Sequence, residues 1–187
     1  MFGVSGGTSV RIRNSLFAGN VATQGMFHGY NTTVSMNNCT MVSNSGGYAA
    51  MEIKNDIYDS IIVNDTKLHF GSAAHGLWDG AYVKLHNSIL WNTPVDEEHP
   101  YDADSTPILA DPKLKNITAD VKSKTFMPMP LRGSPAIDAS LSYNAESWGD
   151  KDAYGKPRFT GSGASPAADL GALEYDSSLN QLIIIVR

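Results

Sequence analysis

Hydrophobic and polar residues alternate in four short stretches of the chain, and this alternation predicts β-strands. The stretches cover residues 10–13, 34–37, 53–57 and 83–86. Successive side chains of a strand point to opposite faces, so one set should be buried and the other exposed. The residues predicted to point inward are Val10, Ile12, Val34, Met36, Val83 and Leu85. Those predicted to point outward are Arg11, Arg13, Ser35, Lys84 and His86.

Each alternating stretch leads into a similar four-residue motif, and the motifs recur at an uneven but narrow spacing. They begin at Asn14, Asn38, Asp59 and Asn87, which are 24, 21 and 28 residues apart. An asparagine follows each motif, at Asn20, Asn44, Asn64 and Asn92. Asparagine suits a left-handed turn residue, and its amide can hydrogen-bond the asparagine of the next repeat.

A period in the low twenties predicts one coil of a β-helix, with about three short strands and three turns. The predicted fold class is therefore all-β: a right-handed parallel β-helix, or solenoid, of about four coils with a long irregular C-terminal cap. A β-sandwich, which is also built from short strands with regular turn signals, is the alternative. We rank it lower because sandwich strands need not repeat one motif at one phase.

The repeat stops near Val95, where proline, aspartate and serine accumulate. We predict β-helix coils over residues 1–95 and a loop-rich capping region over residues 96–187, packed together as one structural domain. A solenoid needs a cap because its last coil otherwise exposes an apolar interior and an unpaired strand edge. Four charged residues of this region are predicted to pair and pin the irregular chain: Asp138, Arg158, Asp169 and Glu174.

The tail also carries a series of short motifs in a set order. They are Asp-Pro-Lys-Leu at 111–114, residues 126–131, Ser-Pro-Ala-Ile-Asp-Ala at 134–139, Gly-Lys-Pro-Arg at 155–158 and Asp-Leu-Gly-Ala-Leu-Glu-Tyr at 169–175. In this order and spacing the tail resembles the C-terminal region of bacterial right-handed β-helix proteins of the pectate-lyase-like superfamily. The resemblance is closest to the choice-of-anchor Q group. The chain departs from that group at Ser140, where glycine is frequent, and in its extra residues 179–187.

The resemblance implies a secreted or cell-surface bacterial protein that handles polysaccharides. It does not imply one reaction, because such proteins include lyases, glycoside hydrolases and adhesin-like surface proteins, so function is inferred by analogy. The expected partner is a polysaccharide or an oligosaccharide.

Composition narrows the functional classes further. The net charge of −5 leaves no broad basic field for nucleic acid. Cys39 is the single cysteine, so neither an intramolecular disulfide nor a cysteine-based zinc site is expected. The longest apolar run, residues 182–186, is too short to span a membrane. The chain opens without a signal peptide and reads like mid-fold sequence, so we expect natural sequence to precede Met1.

The candidate site lies on the outer face of one predicted parallel sheet, where β-helix enzymes of this superfamily usually bind substrate. Its strands are predicted over residues 27–30, 51–54 and 76–79. Alternation points Glu52 and Lys54 outward on the second strand, and His28 and Tyr30 outward on the first. On the third strand, whose phase is ambiguous, we assign Asp79 to the outer face. Neighbouring strands lie about 4.8 Å apart, so these side chains would be close together.

The predicted catalytic residues are Glu52, Asp79 and Lys54. Glu52 and Asp79 can act as a glycosidase pair, because hydrolysis needs one protonated carboxyl and one ionised carboxylate. Alternatively, the two carboxylates hold a calcium ion that bridges to a uronate, and Lys54 or His28 takes the proton in a β-elimination. Calcium is thus an alternative cofactor, and the remaining histidines match no metal motif.

The predicted substrate-binding residues are His28, Tyr30 and Trp78. Aromatic faces pack against the apolar faces of pyranose rings, which gives Tyr30 and Trp78 the role of sugar platforms. The leading hypothesis is a carbohydrate-active enzyme, with hydrolysis favoured over elimination. The alternative is non-catalytic: a glycan-binding or surface-adhesion module, or the end of a longer β-helix. An exposed first coil would also favour edge-to-edge association into a homo-oligomer, unless residues 182–186 cover it.

Overall fold

The computed structural model describes most of the chain, and the described part is all-β. The described residues are 2–5, 7, 9–21, 27–45, 51–64, 82–95, 101–117, 120–123, 126–141, 149–158 and 167–176, with the backbone alone for 2–5, 27–31 and 51–53. No helix forms within these residues. The described part of the chain therefore contains no helix with the length and hydropathy needed to cross a bilayer. The all-β class predicted from the sequence is confirmed.

Nine strands form within the described residues. In chain order they are β1 (Phe2–Ser5), β2 (Ser9–Arg13), β3 (Leu16–Ala18), β4 (Phe27–Asn37), β5 (Thr40–Val42), β6 (Met51–Tyr58), β7 (Ile61–Val63), β8 (Tyr82–His86) and β9 (Ile89–Trp91). Strands β1, β2, β4, β6 and β8 form a five-stranded sheet, in which β1 and β2 both pair with β4. Strands β3, β5, β7 and β9 form a four-stranded sheet.

All pairings between these strands are parallel, and from β2 onward the chain alternates between the two sheets. This differs from the antiparallel pairing of a β-sandwich and is compatible with a β-helix. The aligned sequence motifs also lie side by side. The first strand residues after each motif start are partners across the four-stranded sheet: Leu16, Thr40, Ile61 and Ile89.

In each repeat, a residue with a left-handed backbone conformation lies at the corner between a strand of the five-stranded sheet and the next strand, which belongs to the four-stranded sheet. These four residues, which we call the turn ladder, are Asn14, Asn38, Asp59 and Asn87, with φ of 46°, 48°, 48° and 46°. Asparagine and aspartate accept this backbone conformation more readily than other non-glycine residues, because their short polar side chains can hydrogen-bond locally. Only one further residue separates each of them from the next strand, so the corner is tight.

A second left-handed turn follows the strands of the four-stranded sheet. Its left-handed residues are Gly19, Ser43, Asn64 and Asn92. The predicted asparagine contacts form at two places: Asn20 Nδ2 donates to Asn44 Oδ1 at 2.8 Å, and Asn92 Nδ2 donates to Asn64 Oδ1 at 2.5 Å. The left-handed conformation predicted for the asparagine is confirmed at Asn64 and Asn92. In the first two repeats the residue before the asparagine, Gly19 or Ser43, adopts it instead.

The main hydrophobic core lies between the two sheets. Four of the predicted inward residues are fully buried in it, and the other two, Val10 and Ile12, are partly buried against it. The buried core residues are Val34, Met36, Cys39, Met41, Ile57, Ile62, Val83, Leu85 and Leu90. The inward phase predicted from alternation is therefore confirmed.

The four-stranded sheet is covered on both faces, because the irregular C-terminal region packs on its outer side. The outer cluster joins Val42, Ile61, Val63 and Ile89 to Leu114, Phe126, Ala136 and Leu170. Parallel strands covered on both faces carry continuous apolar runs. Strand β7, Ile61-Ile62-Val63, is such a run and is buried along its whole length.

The edge formed by β8 and β9 is partly paired by the chain that follows them. The backbone N–H groups of Asp102 and Thr106 donate to the carbonyls of Val83 and Leu85, at 2.8 Å and 3.0 Å. Ile108 then forms an isolated parallel bridge to β9. The chain beyond Val95 therefore continues along the strand edge before it becomes irregular.

Arg158 and Glu174 form a buried, hydrogen-bonded pair within the irregular region. Arg158 is 0% exposed, and its Nη1 lies 2.7 Å from Glu174 Oε1. Its guanidinium also donates to the carbonyls of Asp169 and Gly171. Asp169 Oδ1 accepts the backbone N–H of Asp138 at 2.8 Å. The predicted pairing is confirmed for Arg158 and Glu174, while Asp138 joins the network through its backbone.

The turn ladder connects this region to the sheets. Asn38 Nδ2 donates to the carbonyl of Asp169 at 3.0 Å. Asp59 accepts the Ser140 hydroxyl at 2.9 Å and the Asn87 side-chain amide at 2.6 Å. The Ser140 hydroxyl thus links the irregular region to the turn ladder.

Two buried carboxyl groups, those of Asp169 and Glu174, lie near the single guanidinium group of Arg158. Burial, followed by the neighbouring Asp169 carboxylate, raises the pKa of Glu174 to about 8, because the guanidinium of Arg158 only partly offsets both effects. Burial also raises the pKa of Asp169 to about 6. Each carboxyl therefore binds its proton more tightly in the folded chain than in the unfolded chain.

Because these two carboxyl groups have raised pKa values, we expect the folded state to become less stable as the pH rises. The contribution of Glu174 is complete below its ordinary pKa of 4.5 and is lost as the pH approaches about 8. Thermal unfolding measured from about pH 5 to about pH 9 should show the melting temperature of Glu174→Gln gaining on that of the wild type across this range. A difference between the two melting temperatures that stays constant from about pH 5 to about pH 9 would show that Glu174 is ionised throughout.

Asn55 is a polar residue at an inward position of β6. Asn55 is 0% exposed, and in register it lies between Val34 and Val83. Neither polar atom of its side chain has a hydrogen-bond partner among the described residues. Burying an amide without a partner costs about 1–3 kcal/mol.

We expect Asn55→Val to stabilise the protein by about 1–2 kcal/mol, because valine continues the row of valines and removes the unpaired amide. Chemical denaturation measures this change in the free energy of unfolding. Thr33→Val on the exposed side of neighbouring β4 is the control for strand propensity alone, and should change stability by less than about 0.5 kcal/mol. A loss of stability in Asn55→Val would mean that the amide is satisfied within the folded protein.

Candidate functional site

The outward side of the five-stranded sheet is the candidate site, because its other side forms the core. Strands β2, β4, β6 and β8 each contribute three outward side chains, which are mostly exposed or half-buried. We call this surface the polar face. Its residues are Ser9, Arg11, Arg13, Thr33, Ser35, Asn37, Lys54, Asp56, Tyr58, Tyr82, Lys84 and His86.

Parallel pairing arranges the polar face in three columns that run across the strands. The columns are Ser9–Thr33–Lys54–Tyr82, Arg11–Ser35–Asp56–Lys84 and Arg13–Asn37–Tyr58–His86. Neighbours in a column lie on strands about 4.8 Å apart, so their side chains can touch directly or diagonally. The column that ends at His86 is made of the residues that immediately precede the turn ladder.

Four side chains on β6 and β8 form a connected group, which we call the Asp56 cluster: Asp56, Tyr58, Tyr82 and His86. His86 Nε2 lies 3.1 Å from Asp56 Oδ1, and the Tyr82 hydroxyl donates to Asp56 Oδ2 at 3.3 Å. The rings of Tyr58 and His86 stack, with centroids 4.3 Å apart and planes inclined by 10°. The cluster therefore combines a carboxylate, an imidazole and two phenol rings on one surface.

The Asp56 carboxylate also influences the two phenols. Burial, together with the negative charge of Asp56, raises the pKa of both Tyr58 and Tyr82. Each phenol therefore keeps its proton at neutral pH, and the Tyr82 hydroxyl donates its proton to the hydrogen bond with Asp56. Neither tyrosine is therefore suited to act as a general base there.

Lys84 lies beside the cluster and is paired with acidic groups beyond the sheet edge. Its Nζ is 3.3 Å from Asp104 Oδ2 and 3.6 Å from Asp102 Oδ1. The hydrogen bond to Asp104 raises the pKa of Lys84. The ammonium also lies 5.2 Å from the centroid of the Tyr82 ring, within cation–π range.

A groove of about 390 Å³ lies on the same surface, next to Tyr58. It is lined by Ser9, Val10, Arg11, Arg13, Thr33, Ser35, Asn37 and Tyr58. Within it the Ser35 hydroxyl donates to Asn37 Oδ1 at 3.2 Å. The lining therefore includes two arginines, three residues with hydroxyl groups and one tyrosine.

Most of the site residues predicted from the sequence have side chains outside the described part of the structure. Asp79 and Trp78 lie outside the described residues, as do the side chains of Glu52, His28 and Tyr30. The backbones of those last three belong to β6 and β4. The register of these strands pairs His28 with Met51 and then shifts before Thr32 pairs with Ile53.

Lys54 is the predicted site residue whose side chain is described. It is exposed on the polar face, as alternation predicts, with Thr33 and Tyr82 as its register partners. It therefore shares the surface of the Asp56 cluster without being one of its members.

Sequence reasoning missed the Asp56 cluster, although part of the signal was present. The outward phase of His86 was predicted, and Tyr58 stands at the same offset from its motif as His86 does. The contacts of Asp56 with His86 and Tyr82 are diagonal, so they follow from the register of β6 with β8.

Two other kinds of chemistry find no place in the described residues. No group of three or more His, Cys, Asp or Glu side chains among them is arranged to hold a metal ion. Cys39 is fully buried, and burial raises the pKa of its thiol to about 12. A protonated, inaccessible thiol does not act as a nucleophile.

Comparison with known proteins gives no match: no protein-family model matches the chain, and no curated protein or solved structure matches it significantly. The polar face itself therefore provides the evidence about function.

We expect Asp56→Asn to lower the pKa of Tyr58 and Tyr82, because the substitution removes the negative charge that opposes their ionisation. Titration followed by phenolate absorbance should show part of the eight-tyrosine signal moving to lower pH. Asp111→Asn, an exposed site in the irregular region, is the matched control and should leave the curve unchanged. Identical curves for Asp56→Asn and wild type would contradict the geometry of the cluster.

Proposed function

We propose that this chain forms right-handed parallel β-helix coils closed by an irregular capping region, and that it acts on polysaccharide. The fold proposal is supported by parallel strands that alternate between two sheets, with aligned motifs in adjacent rows. Right-handedness is the general rule for connections between parallel strands of one sheet. Residues 1–95 would form the coils and residues 96–187 the cap, and a secreted or surface location agrees with a polysaccharide partner.

The proposed glycan surface is the polar face, and the Asp56 cluster is the observation that carries this proposal. Sugars are bound by aromatic faces combined with hydrogen-bonding groups, and the stacked Tyr58 and His86 rings stand beside Asp56 and Tyr82. Ser9, Arg11, Thr33 and Lys54 of this surface are exposed, and an exposed surface suits a polymer better than a small enclosed molecule.

The reaction we propose is glycoside hydrolysis by a carboxylate pair. One carboxylic acid would protonate the glycosidic oxygen, while the second carboxylate attacks the sugar or activates water. Glu52 and Asp79 remain the proposed pair, with Lys54 nearby, and His28, Tyr30 and Trp78 as proposed sugar contacts. Asp56 adds a third carboxylate to this proposed group. It lies on β6, the strand that also contains Glu52.

A non-catalytic glycan-binding role is the second candidate, and one observation favours it. Among the described side chains of the polar face, Asp56 is the sole carboxylate, and it is already engaged by His86 and Tyr82. A glycosidase needs two carboxylates in the site. Calcium-dependent elimination is the third proposal, and it would use Glu52 and Asp79 as metal ligands.

A turnover screen separates these candidates. The chain is incubated with neutral and uronate-containing polysaccharides, with calcium and with chelator, while new reducing ends and unsaturated uronate are followed. Reducing ends without the chromophore, lost in Glu52→Gln and Asp79→Asn, would support hydrolysis. A chromophore that disappears with chelator would support elimination, and binding without turnover would support the second candidate.

We expect Tyr58→Ala to weaken glycan binding about tenfold, because it removes a ring contact worth about 1 kcal/mol or more. Affinity electrophoresis on the glycan that the screen identifies measures the change. Tyr154→Ala, a half-exposed tyrosine of the irregular region, is the control and should bind like wild type. Equal binding by both variants would remove the polar face as the glycan surface.

A further inference from the structure

The first strand of the four-stranded sheet has one open edge. β3 lies at the end of that sheet and pairs with β5 on one side. The carbonyl of Ser15 and the N–H of Gly19, on either side of β3, bond to β5 at 3.0 Å and 3.1 Å. Because alternate residues of a parallel strand bond to the same neighbour, the backbone groups of Leu16 and Ala18 point away from β5. No hydrogen bond joins these groups to any described residue.

A groove of about 630 Å³ runs along this open edge. Successive side chains of a strand point to opposite faces, yet Leu16, Phe17 and Ala18 all line the groove, so it follows the edge of β3. Its opposite wall comes from the irregular region. The lining residues, none of which is charged, are Leu16, Phe17, Ala18, Asn20, Val121, Ser123, Phe126 and Tyr154.

The wall of the groove is packed closely against the end of β3. A Cβ added to Gly19 would lie 2.5 Å from Val121 Cγ2, so the two chain segments approach each other tightly. The Tyr154 hydroxyl donates to the carbonyl of Phe126 at 3.2 Å, and Phe126 belongs to the outer hydrophobic cluster. An open strand edge beside an apolar wall accepts an extended segment through main-chain hydrogen bonds.

The opposite edges of the two sheets are already covered. The N–H groups of Asp102 and Thr106 bond to β8, and Ile108 forms a bridge to β9. Strand edges that stay exposed are usually protected by charged residues, proline or a bulge. β3, with the sequence Leu-Phe-Ala, has neither charge nor proline. An occupant is therefore expected on its edge.

We propose that residues 182–186 of the same chain, which we call the C-terminal segment, bind in this groove as a strand added to β3. The segment lies outside the described residues. Its sequence, Leu-Ile-Ile-Ile-Val, is uncharged, as is the lining of the groove. Isoleucine and valine are β-branched and favour strands.

The chain that leads to the C-terminal segment starts beside the groove. Asp176 is the last described residue, and its Oδ2 lies 2.6 Å from Lys156 Nζ. Lys156 is two residues from Tyr154, which lines the groove. Residues 177–181 span up to about 17 Å when extended, so the C-terminal segment can reach the edge of β3.

Amide hydrogen exchange of the whole chain, followed by NMR, tests for the added strand. The N–H groups of Leu16 and Ala18 should exchange at least tenfold more slowly in the wild type than in Ile183→Asp combined with Ile184→Asp. Adjacent residues of a strand point to opposite sides, so one of the two aspartates must face the apolar wall. The N–H of Phe17, which points towards β5, is the internal control and should change far less.

The matched control variant is Ser177→Asp combined with Ser178→Asp. It adds the same charge just before the C-terminal segment and should leave the exchange of Leu16 and Ala18 as in the wild type.

Cysteine pairing tests whether the added strand comes from the same chain. Ala18→Cys is combined with a cysteine at each of positions 182–186 in turn, and the chain is oxidised at low concentration. Cys39 is fully buried and can stay in place. We expect disulfides within one chain at every second position of the segment. Their yield should exceed at least tenfold that obtained with Ala103→Cys, an exposed alanine at the covered edge.

Fast exchange of Leu16 and Ala18 in the wild type would overturn the proposal, and so would slow exchange that persists in the aspartate variant. Disulfides at all positions of the C-terminal segment, without alternation, would overturn the strand. Disulfides between chains only, when Ala18→Cys is mixed with a chain that has its cysteine in the segment, would place a second copy in the groove and overturn the intramolecular arrangement. If the aspartate variant does not fold, the cysteine scan decides alone.

Discussion

The structure depends on the tight left-handed corners of the turn ladder. Each corner turns the chain from one sheet to the other within two residues, which brings the apolar sides of both sheets together. The same side chains then bind the irregular region, as Asn38 does with Asp169 and Asp59 does with Ser140. Gly171 packs against Thr40, the first residue of β5, and a larger residue would not fit there, because an added Cβ would lie 2.6 Å from Thr40 Oγ1. The left-handed corner conformation thus brings the two sheets together around the core and also positions the side chains that bind the irregular region.

The division of roles between the two sheets follows from this arrangement. The irregular region covers the outer side of the four-stranded sheet with apolar residues, and its cohesion depends on Arg158 and Glu174. The outer side of the five-stranded sheet keeps polar, charged and aromatic side chains. A polymer could therefore lie across this second sheet without displacing any part of the hydrophobic core.

Much of the fold could be predicted from the sequence, because alternation within a strand is a local property. It gave the inward phase of Val34 and Leu85 and the outward phase of His86, and the charge pattern of the tail anticipated the Arg158–Glu174 pair. The Asp56 cluster could not be predicted in this way. Its contacts join residues 26 and 30 positions apart, and they depend on a register that variable turn lengths hide.

The candidate site inherits its geometry from the turn ladder. Tyr58 and His86 each stand one residue before a ladder member, and the backbone N–H of Asp59 donates to the carbonyl of His86 at 3.1 Å. That hydrogen bond fixes the two rows relative to each other at the point where the rings meet. The centroid separation of 4.3 Å is close to the spacing of adjacent strands, about 4.8 Å, so the rings stack without distorting the sheet. A change at a corner should therefore alter the stacked rings as well as the cover on the opposite sheet, although the two surfaces do not share side chains.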